Sequence, residues 1–392
     1  MIPVVLLGGL SVMRALGMAR IPVVVASLER DTPAMASRYC SGIIELPPSS
    51  GRDAMVETLV RAGRWFAKRH GAPIPLFYDN DDRLALVQDY REKLAPHFAL
   101  ILNEPGLGRA LLDKELFQDL GERWALPVPR RIEWERLADE PGPVLVKPRT
   151  RTGWENSAIR RRLFGGEGKA RVFPSGRAAR DDMLVAQLAA QLAFQEYVPG
   201  GDDAIWSYHG FATPGGEVVA SFVGRKIRTF PALTGDSSYL RLAREDRLSA
   251  LGREIAARLR LSGVFKMDFK RSPAGRYYLL EINTRFNLWH YPGAMNGVNL
   301  PKVAYDFLVH RKTPRPAIAR THYRYLAMRY DRRAYRELKA QGKLGLAGWL
   351  WSLAQAPKVY ELFAWTDPAP FVRFWRGRFE RRWQRLWHST AS

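Results

Sequence analysis

The chain has 392 residues, 46% of them hydrophobic, which suffices for two or three domains with packed cores and excludes a disordered chain. Its 61 Lys and Arg against 39 Asp and Glu leave a net charge of +22, and its single cysteine, Cys40, excludes an internal disulfide framework and argues for a reducing, cytoplasmic setting. The opening apolar run, 1–7, is too short for a secretory signal and lacks the basic flank of one, and no run approaches a membrane span.

Residues 1–110 alternate strand and helix patterns, which predicts a parallel sheet covered on both faces. Residues 4–7 read as a buried strand, Gly8-Gly9 as a tight turn, Ser11 as the cap of a helix over 12–19, and 21–26 as a second strand. This is a Rossmann-like opening unit, although Gly8, Gly9 and Gly17 do not form a dinucleotide fingerprint. The strand expected at 74–78 ends in Asp79-Asn80-Asp81-Asp82, residues ordinary for capping the next helix.

From residue 111 a helix starts at Asp113-Lys114 and runs to about Trp124, stopping before Pro127 and Pro129. In Pro143-Val144-Leu145-Val146-Lys147-Pro148 a lysine ends an apolar strand, where its ammonium needs an anionic partner. The following Arg- and Gly-rich stretch, 149–171, includes Gly165-Gly166-Glu167-Gly168-Lys169, which suits a phosphate-cradling lid or a plain surface loop. After a helix over 180–191, Gln195-Glu196-Tyr197-Val198 reads as a strand end, followed by Gly200-Gly201-Asp202-Asp203. A hairpin then pairs 205–212 with 217–225 around Thr213-Pro214-Gly215-Gly216. At its end Lys226 and Arg228 are expected on one face, suited to an anionic acyl-phosphate or carboxylate.

The stretch 263–290 reads as two antiparallel strands, 264–270 and 276–283, around the turn Ser272-Pro273-Ala274-Gly275. If those four residues close the hairpin, Arg271 faces Arg276 and Asp268 faces Leu279, leaving Glu281 as the same-face diagonal neighbour of Asp268 at roughly 7–8 Å. Asp268, Glu281 and the Asn283 amide are hard oxygen donors of the kind magnesium takes alongside phosphates. On spacing alone a solvated strand face fits equally.

An acidic residue on one strand, Glu-x-Asn on the next and an Arg two residues later, here Asp268, Glu281-Ile282-Asn283 and Arg285, resembles the signature of ATP-grasp ligases. The branch it resembles is that of carboxylate-amine ligases and biotin-carboxylase-like enzymes. The resemblance spans roughly 1–310 and implies an α/β architecture: a Rossmann-like pre-ATP-grasp domain (1–110), then an ATP-grasp fold (111–310) of two α+β subdomains sandwiching ATP. Of these, 111–192 carries the lid and 193–310 the metal site. It further implies that Asp268, Glu281 and Asn283 hold Mg2+, with Mn2+ as the alternative ion. Lys114, Lys147 and the weaker Lys169 would meet ATP phosphates, and Tyr197 and Val198 would line the adenine. Glu196 would accept from the exocyclic amine and Asp203 would meet the ribose. Lys147, Arg285, Lys226 and Arg228 would serve catalysis. The implied reaction activates a carboxylate as an acyl-phosphate and joins it to an amine, releasing ADP and phosphate. A biotin-carboxylase-like carboxylase and a noncatalytic, membrane-associated nucleotide-binding protein are the alternatives, and a homodimer fits the family.

Residues 311–392 lie beyond the resemblance and hold 18 Lys and Arg against 5 Asp and Glu, +13 of the chain's +22. They also contain Trp349, Trp351, Trp365, Trp375, Trp383 and Trp387. A basic, helical extension is expected, meeting an anionic membrane surface through stretches such as LAGWLWSL, or else packing on the enzyme. No nucleic-acid-binding motif accompanies the charge.

Overall fold

The computed structural model describes residues 1–47, 51–149, 158–164, 170–232, 235–313 and 317–389. Lys169 and the glycine run 165–168 lie outside the described residues. The chain divides into two compact units: one of Met1–Leu102, Arg285–Ala319 and Lys358–Ser392, the other of Asn103–Thr284 and Arg320–Pro357.

In the first unit, β1 (Val4–Leu7), β2 (Val23–Ser27), β3 (Cys40–Glu45), β4 (Ile74–Tyr78) and β5 (Phe98–Ala99) form a sheet in the order β3-β2-β1-β4-β5. Every pairing is parallel. Apolar runs such as Val4–Leu7 are buried throughout, as strands covered on both faces must be. The first helix, Leu10–Met18, begins two residues earlier than a cap at Ser11 would allow, with Gly9 as its N-cap. The cause lies just after β4: the half-buried Asp79 carboxylate accepts from the Gly9 N–H at 2.6 Å. A Cβ on Gly8 would stand 2.6 Å from the Asp79 Cγ, so this approach requires glycine.

The second unit carries a four-stranded antiparallel sheet of β6 (Arg131–Ile132), β7 (Val144–Pro148), β8 (Arg171–Phe173) and β9 (Leu192–Glu196), in the order β6-β9-β7-β8. Its larger sheet runs β14-β13-β10-β11-β12-β15, where these are Tyr277–Asn283, Gly263–Arg271, Ile205–Ala212, Val218–Phe230, Asp236–Ala243 and Arg324–Leu326. One face of this sheet presents Trp206, Tyr208, Phe265, Met267, Phe269 and Leu279 to Leu248 and Ile255 of the helix Asp246–Arg258. Alternation sends Ser207, Lys226, Asp268 and Lys270 to the opposite face.

The expected boundaries at 110 and 310 differ from this division, and 311–392 is not one appended segment. Two buried arginines explain why. In the second unit, Arg228 makes a bidentate pair with Asp331 of the helix Met328–Ala340, at 2.7 and 3.0 Å. In the first, Arg14 donates its Nε to Asp367 at 3.0 Å, both side chains being 1% exposed. Ser37 Oγ and the Arg38 N–H complete the Asp367 carboxylate at 2.8 and 2.9 Å. A buried guanidinium needs such a partner, and the C-terminal stretches supply both carboxylates.

Candidate functional site

The site is organised on the β13-β14 hairpin of the second unit. Its loop holds five residues, 272–276, so Arg271 faces Tyr277 rather than Arg276. A bulge between Asp268 and Phe269 then leaves Leu280 as an extra residue on β14. The two offsets together place Glu281 directly opposite Asp268, not diagonal to it. With the longer loop alone, Leu280 would face Asp268, because a one-residue slip reverses every side chain.

Asp268 is buried and Glu281 half-exposed. Lys266, two residues before Asp268 on the same face, holds its Nζ 2.7 Å from the Asp268 Oδ2 and 3.9 Å from the Glu281 Oε1. Ser207 Oγ donates to the other Asp268 oxygen. Burial would raise the Asp268 pKa, but the ammonium groups of Lys266 and Lys226 hold it well below the usual carboxylate range. Asn283 Nδ2 donates to Glu281 Oε1 at 2.9 Å, which aligns the amide beside the two carboxylates. Among the described residues no three His, Cys, Asp or Glu cluster tightly enough to cage a metal by themselves. Two carboxylates and an amide oxygen are instead the donor set of an ion completed by phosphate or water.

Lys147 extends from β7 of the smaller sheet. Burial first, then the neighbouring Lys114 ammonium, lowers its pKa to about 8 against the opposing pull of Glu281. Lys114 lies at the start of the helix Lys114–Arg123, capped by Asp113, and donates to the Pro148 carbonyl at 3.3 Å. Two cations thus lie within electrostatic reach of one another and of one carboxylate, a charge arrangement suited to a phosphate.

At the strand end, Val198 is buried and Tyr197 donates its N–H to the Pro143 carbonyl at 3.0 Å. One oxygen of Glu196 is engaged by the Arg130 N–H at 2.9 Å, so this carboxylate fastens β9 to its neighbour. Asp203 pairs with Arg225 at 2.9 Å. Lys270, to which no motif points, is buried with its Nζ 4.4 Å from the Tyr197 ring centroid, and burial lowers its pKa to about 8 against Asp202.

Lys226 and Arg228 do not share a face. A register shift separates them: Lys226 stays close enough to Asp268 to depress its pKa, while Arg228 turns to Asp331 and lies over the Tyr239 ring at 4.8 Å. Arg285 belongs to the first unit, where it makes a bidentate pair with Asp81 at 2.5 and 3.2 Å and donates to the Asp79 carbonyl at 3.3 Å. Lys266 and Ser207 escaped the motif. For Lys266 the available signal was its position two residues from Asp268 on an alternating strand; for Ser207 there was none, since its role depends on which strand lies beside β13.

Comparison with known proteins adds four findings. Residues 211–329 match the family described as ATP-grasp in the biosynthetic pathway with Ter operon. A D-aspartate ligase of Enterococcus faecium (strain Aus0004) is 18% identical over 288 residues, 69% of this chain and 67% of the relative. Among solved structures, the biotin carboxylase domain of the Hydrogenobacter thermophilus 2-oxoglutarate carboxylase, in complex with MgADP, ADP and bicarbonate, superposes with a TM-score of 0.58 at 16% identity, covering 82% of this chain and 73% of that one. The L-amino acid ligase of Bacillus licheniformis gives 0.55 at 12% identity, covering 78% and 73%.

Proposed function

We propose, from the premise that this chain carries an ATP-grasp domain, that it is an ATP-dependent carboxylate-amine ligase. The observation that carries this reading is the convergence of Lys147 and Lys114 with Glu281, opposite Asp268, in one unit. The similarity to a D-aspartate ligase and an L-amino acid ligase favours ligation over carboxylation.

In the first step a substrate carboxylate oxygen attacks the γ-phosphorus of ATP, the bond from that phosphorus to the β-γ bridging oxygen breaks, and ADP leaves. In the second, the amine nitrogen attacks the acyl carbon, the carbon-oxygen bond to phosphate breaks, and the nitrogen gives up its proton. The protein contributes position and charge rather than a nucleophile. Lys147 and Lys114 neutralise the phosphates, with Lys169 as a further contact, while Tyr197 and Val198 bound the base and Asp203 is within the ribose region. Lys226, beside Asp268, is the better candidate for the acyl-phosphate; Arg228 is held by Asp331. Arg285 is retained as a catalytic candidate through the motif alone. Asp268, Glu281 and Asn283 fit Mg2+, or Mn2+, by their hard oxygen donors. Such an ion, when bound, supplies charge neutralisation at the transferring phosphoryl group.

The partners in this reading are a small-molecule carboxylate and a small-molecule amine, with a homodimer as the assembly. No described helix is long and apolar enough to cross a membrane. We read the basic, tryptophan-rich 311–392 as meeting an anionic membrane surface from the cytoplasmic side.

ADP release measured over pooled acids and amines tests the activity: release requiring one acid and one amine is expected, and release supported by bicarbonate without an amine would favour the carboxylase. Lys147→Ala should weaken ATP binding or phosphoryl transfer by roughly 2–4 kcal/mol. Because the Lys147 pKa is lowered to about 8, the cation is lost as pH rises through that value, and ATP affinity should fall with it. The same depression means that folding gains stability from Lys147 as pH climbs from about 8 toward the ordinary lysine value. Lys147→Arg keeps its charge and should flatten the alkaline fall. Unchanged affinity and rate in Lys147→Ala would remove the residue from the site.

A further inference from the structure

Three arginines stand in one row across the larger sheet. Arg225 of β11 is the direct partner of Arg241 of β12, and Arg241 is the direct partner of Arg324 of β15. Directly opposed residues share a face with Cβ atoms about 4.5–5.5 Å apart, and like charges so placed repel. Folding gains nothing from this arrangement unless something neutralises it. Arg225 is balanced by Asp203, through Nη2 at 2.9 Å and through Nε to the carbonyl at 2.6 Å. Among the described residues the Arg324 guanidinium hydrogen-bonds neutral oxygens, Tyr239 Oη at 3.2 Å and Gln355 Oε1 at 2.7 Å, and has no ion-pair partner. Arg241, half-buried between them, has no ion-pair partner among the described residues. Its burial and its two cationic neighbours both disfavour its charge.

The row is tied to the helix Leu346–Ala354. Tyr239 Oη donates to the Ser352 carbonyl at 2.6 Å, and Gln355, the helix C-cap, receives Arg324. That helix has two faces. Trp349 and Ser352 point inward: the indole stacks on Tyr335 with centroids 4.6 Å apart and donates to Asp331 at 2.8 Å, and Ser352 Oγ accepts from Arg228 at 2.9 Å. Leu346, Leu350 and Trp351 point outward, 53%, 52% and 69% exposed. Two guanidinium groups without an ion-pair partner among the described residues, tied to a helix whose outward face carries exposed leucines and an indole, match a molecule with a phosphate joined to an apolar body.

We infer that Arg241 and Arg324, together with the outward face of the Leu346–Ala354 helix, form a binding site for the headgroup phosphate of an anionic phospholipid. The guanidinium forks bind phosphate oxygens, and Leu346, Leu350 and Trp351 enter the interfacial layer. This deepens the reading of a membrane partner and rests on it: the contact is a defined site on the second unit, not a diffuse charge over 311–392. Free inorganic phosphate offers the arginines the same oxygens without the apolar body.

The test is sedimentation of the full chain with phosphatidylcholine vesicles with and without phosphatidylglycerol, at low and high salt. The full chain should sediment with the phosphatidylglycerol vesicles at low salt and only partly at high salt. Arg241→Gln should lower this partitioning about fivefold, and Trp351→Ser should remove the part that survives high salt. The thermal midpoint of Arg241→Gln should equal or exceed the parent's, since a repelled charge has gone, and its ADP release should be unchanged. Equal partitioning of parent and Arg241→Gln on vesicles that bind the parent would overturn the site and leave the membrane reading standing. No sedimentation of the parent at low salt would overturn both. A thermal shift with inorganic phosphate that Arg241→Gln abolishes, without vesicle binding, would assign the row to free phosphate and overturn the lipid.

Discussion

Glu281→Gln is expected to lower ADP release by at least about 100-fold, the upper range for disturbing the support of a metal ligand, while the protein stays folded. Glu281 lies on β14, the edge strand of its sheet, and its side chain is 54% exposed, so little packing depends on it. Its polar contacts in the unit are the Asn283 amide at 2.9 Å and Lys266 at 3.9 Å. Gln keeps the shape but loses the negative charge opposite Asp268. Magnesium affinity, read by calorimetry in the presence of ADP, should fall alongside activity, and the denaturation midpoint should not move. Near-normal release and metal affinity in this variant would show that the carboxylate pair is ordinary strand surface. Asp268→Asn should lose activity too but should also lose stability, because the buried carboxylate organises Ser207 and Lys266.

Asp367→Ala should destabilise the protein by about 3–5 kcal/mol, the cost of stranding one member of a buried pair. The stranded group is the Arg14 guanidinium, which also donates to the Leu362 carbonyl at 2.7 Å and to the Asp367 carbonyl at 3.0 Å. Urea unfolding followed by far-ultraviolet circular dichroism measures the loss. Truncation after Pro357 should be worse, since it removes these carbonyls as well. A truncated chain that unfolds with the parent's midpoint would show that the C-terminal stretch is only an appendage.

Much of this architecture was legible because burial imposes a period on the sequence. The runs at Val4–Leu7, Ile74–Tyr78 and Ile205–Ala212 coincide with the expected strands, since an apolar run between turn residues has few other solutions. The hairpin carrying Asp268 and Glu281 was equally visible, but its register was not. A five-residue loop and a bulge at Leu280 are decided by backbone conformation, and each shifts the pairing by one residue. Partner choice was less visible still. Arg228 looked like a substrate contact because the carboxylate that takes it, Asp331, lies 103 residues away. Glu196 looked available to a ligand because its partner is a backbone N–H, which no side-chain pattern marks.

The route of the chain through its two units has a consequence for how the protein is made. The first unit is assembled from three stretches, and the Arg14 to Asp367 bond closes a separation of 353 positions. During synthesis, β1 through β5 emerge long before the carboxylate that neutralises Arg14. The second unit, complete at Pro357, has all its segments before then. The first unit therefore reaches its final stability after the second has all its segments, and its apolar parallel strands depend on protection from aggregation until Asp367 has emerged.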